Sequence, residues 1–277
     1  MNIRHIFNEI EKVDPEVYER MDTRRNTMKQ FSGIAGKLAL AAVPLALGSM
    51  FKKAYGQGGG PGIFEILNYA LTLEYLEAKF YETGLSSAGL PIPAGAPRGA
   101  IQTIADHERA HVNFLKAGIT AAGGTPVTEP TFDFTAGGAF ANVFSNYATF
   151  LAVAQTFEDT GVRAYKGQAN QPSLMSNNDL LEAALNIHSV EARHASHIRQ
   201  MRKANNFGDV KPWITGKETG IGAAVQASYN GEENTNQAGV EIVNINNFDI
   251  SATAATEAFD EPLTMQQVLA IVDPFIS

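Results

Sequence analysis

Glu108-Arg-Ala-His111 and Glu191-Ala-Arg-His194 repeat one Glu-x-x-His motif in the two halves of a 277-residue chain. Each copy follows a lone glutamate, Glu74 by 34 residues in the first half and Glu158 by 33 in the second. Together the motifs supply six candidate metal ligands: Glu74, Glu108, His111, Glu158, Glu191 and His194. Four glutamates and two histidines in this order are typical of a carboxylate-bridged two-metal site inside a four-helix bundle.

The repeat extends to the residues around the motifs. Tyr81 and Tyr165 each lie seven residues after the lone glutamate, and Ile104 and Ile187 each lie four before the paired one. At roughly 100° per residue, the paired glutamate and histidine fall within an apolar stripe that should face the core. Buried carboxylates are unfavourable unless cations neutralise them, and two divalent ions would balance four glutamates.

Carboxylate and imidazole ligands favour iron or manganese, so we expect two Fe or Mn ions as cofactors. Two alternatives stay open: surface residues placed by chance, and a relict site that has lost its metals. Around the six ligands, we expect Tyr81 and Tyr165 to bond ligand carboxylates through their hydroxyls. His107 is expected beside the ligands or at the surface. Three interpretations are open for Glu77: an extra ligand, a carboxylate on the path of metal entry, or a solvated side chain. The solvated side chain is the favoured one.

Helical periodicity predicts an all-α fold, in which four long helices form a bundle with one long crossover and an irregular C-terminal tail follows. The expected helices span about 63–83, 97–122, 140–168 and 176–205. Gly84 is read as a helix stop, and Ser176 as an N-cap with Asp179 as its partner. We assign residues 57–206 to the bundle and residues 207–277 to an extension that wraps the bundle or a neighbouring subunit.

The tail contains two local signals. Val240-Glu-Ile-Val-Asn-Ile245 suggests a short extended stretch, and Thr264-Met-Gln-Gln267 is a capping box that opens a short helix before Asp273-Pro274.

The N-terminus contains Thr23-Arg-Arg-Asn-Thr-Met-Lys29, followed by an apolar stretch over residues 38–51 and small residues up to Gly56. This arrangement resembles a twin-arginine export signal. It predicts that residues 1–56 address the chain, through the export machinery, to the periplasm or cell envelope. The alternatives are an amphipathic helix that happens to contain an Arg pair and an uncleaved anchor.

Charge and cysteine content exclude several classes of protein. The net charge is −8, divided into +3 for residues 1–56 and −11 for the remainder. An acidic domain argues against nucleic-acid partners and anionic membrane surfaces, although it allows a homo-oligomer. The chain has no cysteine, which rules out disulfides and thiolate ligands.

The paired Glu and Glu-x-x-His sets resemble those of the ferritin-like superfamily. Ala258-Phe-Asp-Glu-Pro-Leu-Thr264 and Pro274-Phe275 are similar to the C-terminal signature of exported bacterial ferritin-like proteins, whose relatives include desiccation-related proteins. The resemblance implies ferrous oxidation, peroxide disproportionation or oxygen activation, and manganese catalases share a bundle with a long tail. We therefore expect an exported protein whose Fe or Mn pair reacts with peroxide or oxygen, in a catalase-like or ferroxidase-like way. The alternative is a non-catalytic stress-related envelope protein with a structural or relict metal site.

Overall fold

The computed structural model describes residues 61–277, so the predicted export signal lies outside the described residues. The described α-helices are α1 (Ile63–Ser86), α2 (Ala96–Ala121), α3 (Tyr147–Gln168), α4 (Pro172–Met175), α5 (Asn178–Ala204), α6 (Ala252–Thr256) and α7 (Met265–Val272). Two short strands, β1 (Asn236–Gln237) and β2 (Val240–Glu241), form an antiparallel pair. Between residues 61 and 277, no helix combines the length and apolar character needed to cross a membrane.

The four long helices form the predicted bundle. α1 packs mainly on α2, and α3 packs mainly on α5, while α1 and α3 join the two pairs. Residues 122–146 form the long connection from α2 to α3. The prediction of an all-α bundle with one crossover is therefore confirmed.

Gly84 does not end α1, contrary to the sequence-based expectation. The helix continues to Ser86, and Gly84 is buried within it. A Cβ at Gly84 would lie 2.4 Å from a ring carbon of Phe150. The glycine is therefore explained by close packing between α1 and α3 rather than by helix termination.

α3 begins at Tyr147, seven residues later than predicted. The side chain of Asn146 accepts a 3.0 Å hydrogen bond from the backbone N–H of Thr149, which caps the helix. Residues 140–145 form turns, and Asn146 has extended backbone angles of φ −131° and ψ 115°, so the helix begins only after it. Helical periodicity in this segment therefore reflects a series of turns.

α5 also uses a different cap from the one predicted. Asn177, rather than Ser176, accepts a 3.2 Å hydrogen bond from the backbone N–H of Leu180. Ser176 instead ends the short helix α4. The predicted capping box at the start of α7 is present, with both reciprocal hydrogen bonds between Thr264 and Gln267.

The tail packs directly on the bundle. Near the C-terminus, the ring of Phe275 meets that of Phe157 on α3 edge-on, with centroids 4.9 Å apart. The backbone around Phe275 pairs with the crossover, because Asp133 N–H donates to the Phe275 carbonyl at 2.9 Å. The C-terminal end of the chain therefore packs on α3 and is hydrogen-bonded to the connection that leads into α3.

A buried ion pair attaches the middle of the tail to α3. Arg163 and Glu232 lie 2.7 Å apart, and both side chains are almost wholly buried. The same guanidinium donates to the carbonyls of Ser228 and Asn230. A charge in this position is stabilised only if its partners stay in place, so the pair fixes the path of the tail.

Candidate metal centre

The six predicted ligands converge in the middle of the bundle. The lone glutamates come from α1 and α3, and the Glu-x-x-His pairs come from α2 and α5. Because residues at i and i+3 share a helix face, each pair points both of its side chains inward. All four glutamates are 0% exposed and His194 is 5% exposed.

The ligand atoms form two groups that share two glutamates. The first consists of Glu74, Glu108, His111 and Glu191, and the second of Glu108, Glu158, Glu191 and His194. In each group the ligand atoms lie within 4.8 Å of one another. The shared residues, Glu108 and Glu191, therefore hold the bridging position between two candidate ion sites.

The two histidines divide the oxygens of the shared glutamates between them. His111 Nδ1 lies 3.2 Å from Glu108 Oε2 and 3.2 Å from Glu191 Oε1. His194 Nδ1 lies 2.7 Å from Glu108 Oε1 and 3.5 Å from Glu191 Oε2. Each bridging carboxylate thus presents one oxygen to each half of the centre.

The two tyrosines cross between the halves of the repeat. The Tyr81 hydroxyl, from α1, donates to Glu158 Oε1 on α3 at 2.5 Å. Reciprocally, the Tyr165 hydroxyl, from α3, donates to Glu74 Oε1 on α1. Each lone glutamate is therefore oriented by a tyrosine of the opposite half, which leaves its second oxygen directed toward a histidine.

Electrostatics of the centre favour positive charge. Burial, together with repulsion by Glu191, raises the pKa of Glu108 well above its ordinary value. Although burial opposes protonation, attraction to Glu158 and contacts with the other glutamates raise the pKa of His194 to about 12. Protons and metal ions thus compete for the same carboxylate and imidazole atoms, since either can cancel the negative charge.

The donor set fits metal coordination better than hydrogen bonding. Buried oxygens of Glu108, Glu158 and Glu191, together with His194 Nδ1, have no hydrogen-bond partner. His194 Nδ1 and Glu108 Oε1 lie only 2.7 Å apart, yet their contact lacks hydrogen-bond geometry. Atoms that converge on a common point in this way are arranged as ligands. The residues present therefore fit a pair of divalent ions.

Comparison with known proteins agrees with the helical architecture. The family model described as a ferritin-like domain matches residues 62–204, more than half of the chain. The chain belongs to the ferritin-like family. No curated protein and no solved structure matches it.

The structure corrects the favoured interpretation of Glu77 in this ferritin-like chain. Glu77 is 3% exposed, so it is not a solvated side chain. Burial and repulsion by Glu191 raise its pKa well above the ordinary value. Glu77 is absent from both four-residue ligand groups, although it lies one turn after Glu74 on the same helix.

His107 connects the ferritin-like centre to the surface. Its side chain is exposed, and its Nδ1 lies 3.0 Å from Nε2 of His194. The opposite nitrogen of His194 faces the carboxylates. His107 is therefore placed to orient the His194 ring and to exchange a proton with solvent.

Sequence reasoning missed two features of the centre. One is Gly161, at which a Cβ would lie 3.0 Å from Glu77 Oε1. The other is an apolar cavity of about 30 Å³ beside Tyr165, lined by residues of all four long helices, including Leu67, Leu115 and Ile187. Alignment of the two halves could have identified Gly161, because Glu77 and Gly161 each lie three residues after a lone glutamate. The cavity has no sequence signal, because its existence depends on how side chains of different helices fill space.

Proposed function

We propose that this ferritin-like protein holds a pair of iron or manganese ions and reacts with oxygen or peroxide. The observation that carries the proposal is the pair of ligand groups joined by Glu108 and Glu191. Imidazole and carboxylate ligands suit both metals. Such ions, when bound, supply one-electron redox chemistry and Lewis acidity toward a small oxidant.

The protein's own residues would prepare the centre for this chemistry. The hydroxyls of Tyr81 and Tyr165 hold the lone glutamates by hydrogen bonds and so limit their movement. His107 provides a route for protons between His194 and solvent.

The first experiment is metal loading of the purified protein under anaerobic conditions, with either Fe²⁺ or Mn²⁺. We expect two ions per chain, followed by oxygen consumption or peroxide breakdown when the oxidant is added. Glu108→Ala removes a bridging carboxylate and should lower both stoichiometry and turnover. Glu65→Ala removes an exposed glutamate from α1 and is the matched control.

The outcomes separate catalysis from a structural role. If bound metals raise the thermal stability but neither oxidant is turned over, the non-catalytic stress-related function replaces the one proposed. If no stoichiometric metal binds, the metal-centre proposal itself is refuted.

We also propose that the chain acts in the periplasm or cell envelope, because Arg24-Arg25 and the apolar segment that follows resemble a twin-arginine signal. Replacement of both arginines by lysine should retain the full-length protein in the cytoplasm. Unchanged export of the double variant, measured by cell fractionation, would contradict this assignment.

A further inference from the structure

Glu77 places a fifth carboxylate in the buried centre. It lies one helical turn after Glu74 on α1, and both side chains are buried. A buried glutamate usually has a charged or hydrogen-bonding partner, because desolvation of a lone carboxylate is costly. In the metal-loaded protein, the proposed ions would supply positive charge close to Glu77.

Gly161 makes room for this carboxylate. In the repeat, Gly161 stands where the second half would carry the counterpart of Glu77, three residues after Glu158. A Cβ at position 161 would lie 3.0 Å from Glu77 Oε1, closer than nearly all such contacts, and 3.7 Å from Glu191 Cγ. The glycine therefore allows Glu77 to extend across the bundle toward the opposite half.

Glutamate at position 77 and glycine at the equivalent position 161 make the charge of the two halves of the centre unequal. Bound cations would favour the ionised form of Glu77, so the metal-loaded centre would contain five carboxylates. Four carboxylates neutralise two divalent ions, whereas five match one divalent and one trivalent ion. Gly161 adds neither charge nor side-chain bulk, so the counterpart position in the second half does not offset the additional anion. The asymmetry therefore changes the ionic charge that the centre accommodates best.

We propose that Glu77 acts as a charge-selecting residue, which raises the affinity of the centre for a trivalent ion relative to a divalent one. The inference rests on the proposed two-metal function. At an effective dielectric constant of about 20, one additional unit charge several ångströms from an ion should change its affinity by about tenfold to hundredfold per unit of ionic charge. A trivalent ion carries one more unit of charge than a divalent ion, so its affinity should rise by one further factor of this size.

The test uses two redox-inert ions, Ga³⁺ and Zn²⁺, so that no turnover is involved. Affinities of the full chain are measured by competition with a chelator of known strength, and the Ga³⁺-to-Zn²⁺ affinity ratio is compared among variants. Glu77→Gln keeps the shape of the side chain and should lower the ratio by about tenfold or more. Glu65→Gln removes an exposed charge from the same helix and should leave the ratio unchanged.

A second variant, Glu77→Ala, controls for any effect of the glutamine amide group on metal binding. Both variants should lower the ratio while the helical circular dichroism signal stays at the wild-type level. An unchanged ratio in both variants, with wild-type stoichiometry, would overturn this inference and leave the two-metal function intact. Failure of the wild-type protein to bind either ion would overturn both.

Discussion

Replacement of Glu158 by glutamine should have opposite effects on the metal-free and metal-loaded protein. Glu158 is 0% exposed and accepts a hydrogen bond from Tyr81, which a glutamine carbonyl can also accept. In the metal-free chain, burial raises the pKa of Glu158 from 4.5 to about 7. In the metal-loaded chain, the same carboxylate is a proposed ligand. The substitution thus removes a destabilising charge in one state and a ligand in the other.

The pKa shift sets the size and direction of the first effect. Because the folded state binds the proton more tightly than the unfolded state, the wild-type protein loses stability as the pH rises from about 4.5 to about 7. At 1.36 kcal/mol per pKa unit, the loss above pH 7 amounts to about 3 kcal/mol. Glu158→Gln should therefore stabilise the metal-free protein at pH 8 by about 3 kcal/mol, or roughly 6–12 °C in Tm.

The assay is urea unfolding of chelator-treated protein at pH 5 and pH 8, followed by circular dichroism, with metal affinity measured on the same samples. The stabilisation should be about 3 kcal/mol at pH 8 and should fall to less than about 1 kcal/mol at pH 5. Metal affinity at pH 8 should fall in the variant. A metal-free variant that is less stable than wild type at pH 8 would refute the account of a repulsive carboxylate cluster. The exposed-site variant Glu65→Gln controls for the loss of one negative charge.

Four further substitutions test other parts of the structure. Tyr81→Phe and Tyr165→Phe each remove a hydrogen bond to a lone glutamate. Each should weaken metal binding by about 10–100-fold in calorimetric titrations. Wild-type affinity in both variants would contradict the crossed arrangement of tyrosines and glutamates. Arg163→Ala leaves the buried carboxylate of Glu232 unpaired and should destabilise the chain to urea by about 3–5 kcal/mol, whereas a change below about 1 kcal/mol would show that the tail is not fixed there. Gly84→Ala should lower Tm, because its Cβ meets a buried phenylalanine ring and overpacking costs about 1–3 kcal/mol. A rise in Tm would show that alanine is accommodated within the helix and would contradict the close-packing account.

Local sequence signals predicted which segments are helical better than they predicted where each helix begins and ends. The apolar stripe around each Glu-x-x-His motif predicted α2 and α5 because helical periodicity extends over many residues. By contrast, Gly84 lies within α1, and α3 starts only at Tyr147. In the first case the deciding factor is a ring of another helix at Gly84, and in the second it is the extended backbone of the capping residue Asn146. Composition does not distinguish a glycine that ends a helix from one that allows close packing.

Motif spacing was enough to predict that four glutamates and two histidines lie on core-facing stripes, because spacing and helical geometry are local properties. The packing of the helices was needed to show that Glu108 and Glu191 lie between the two halves, and that each tyrosine reaches the glutamate of the opposite half. It also showed that Glu77 is buried across from Gly161, although the sequence interpretation favoured a solvated side chain. Helix pairing sets these relations, because the distance between side chains on different helices depends on packing in three dimensions.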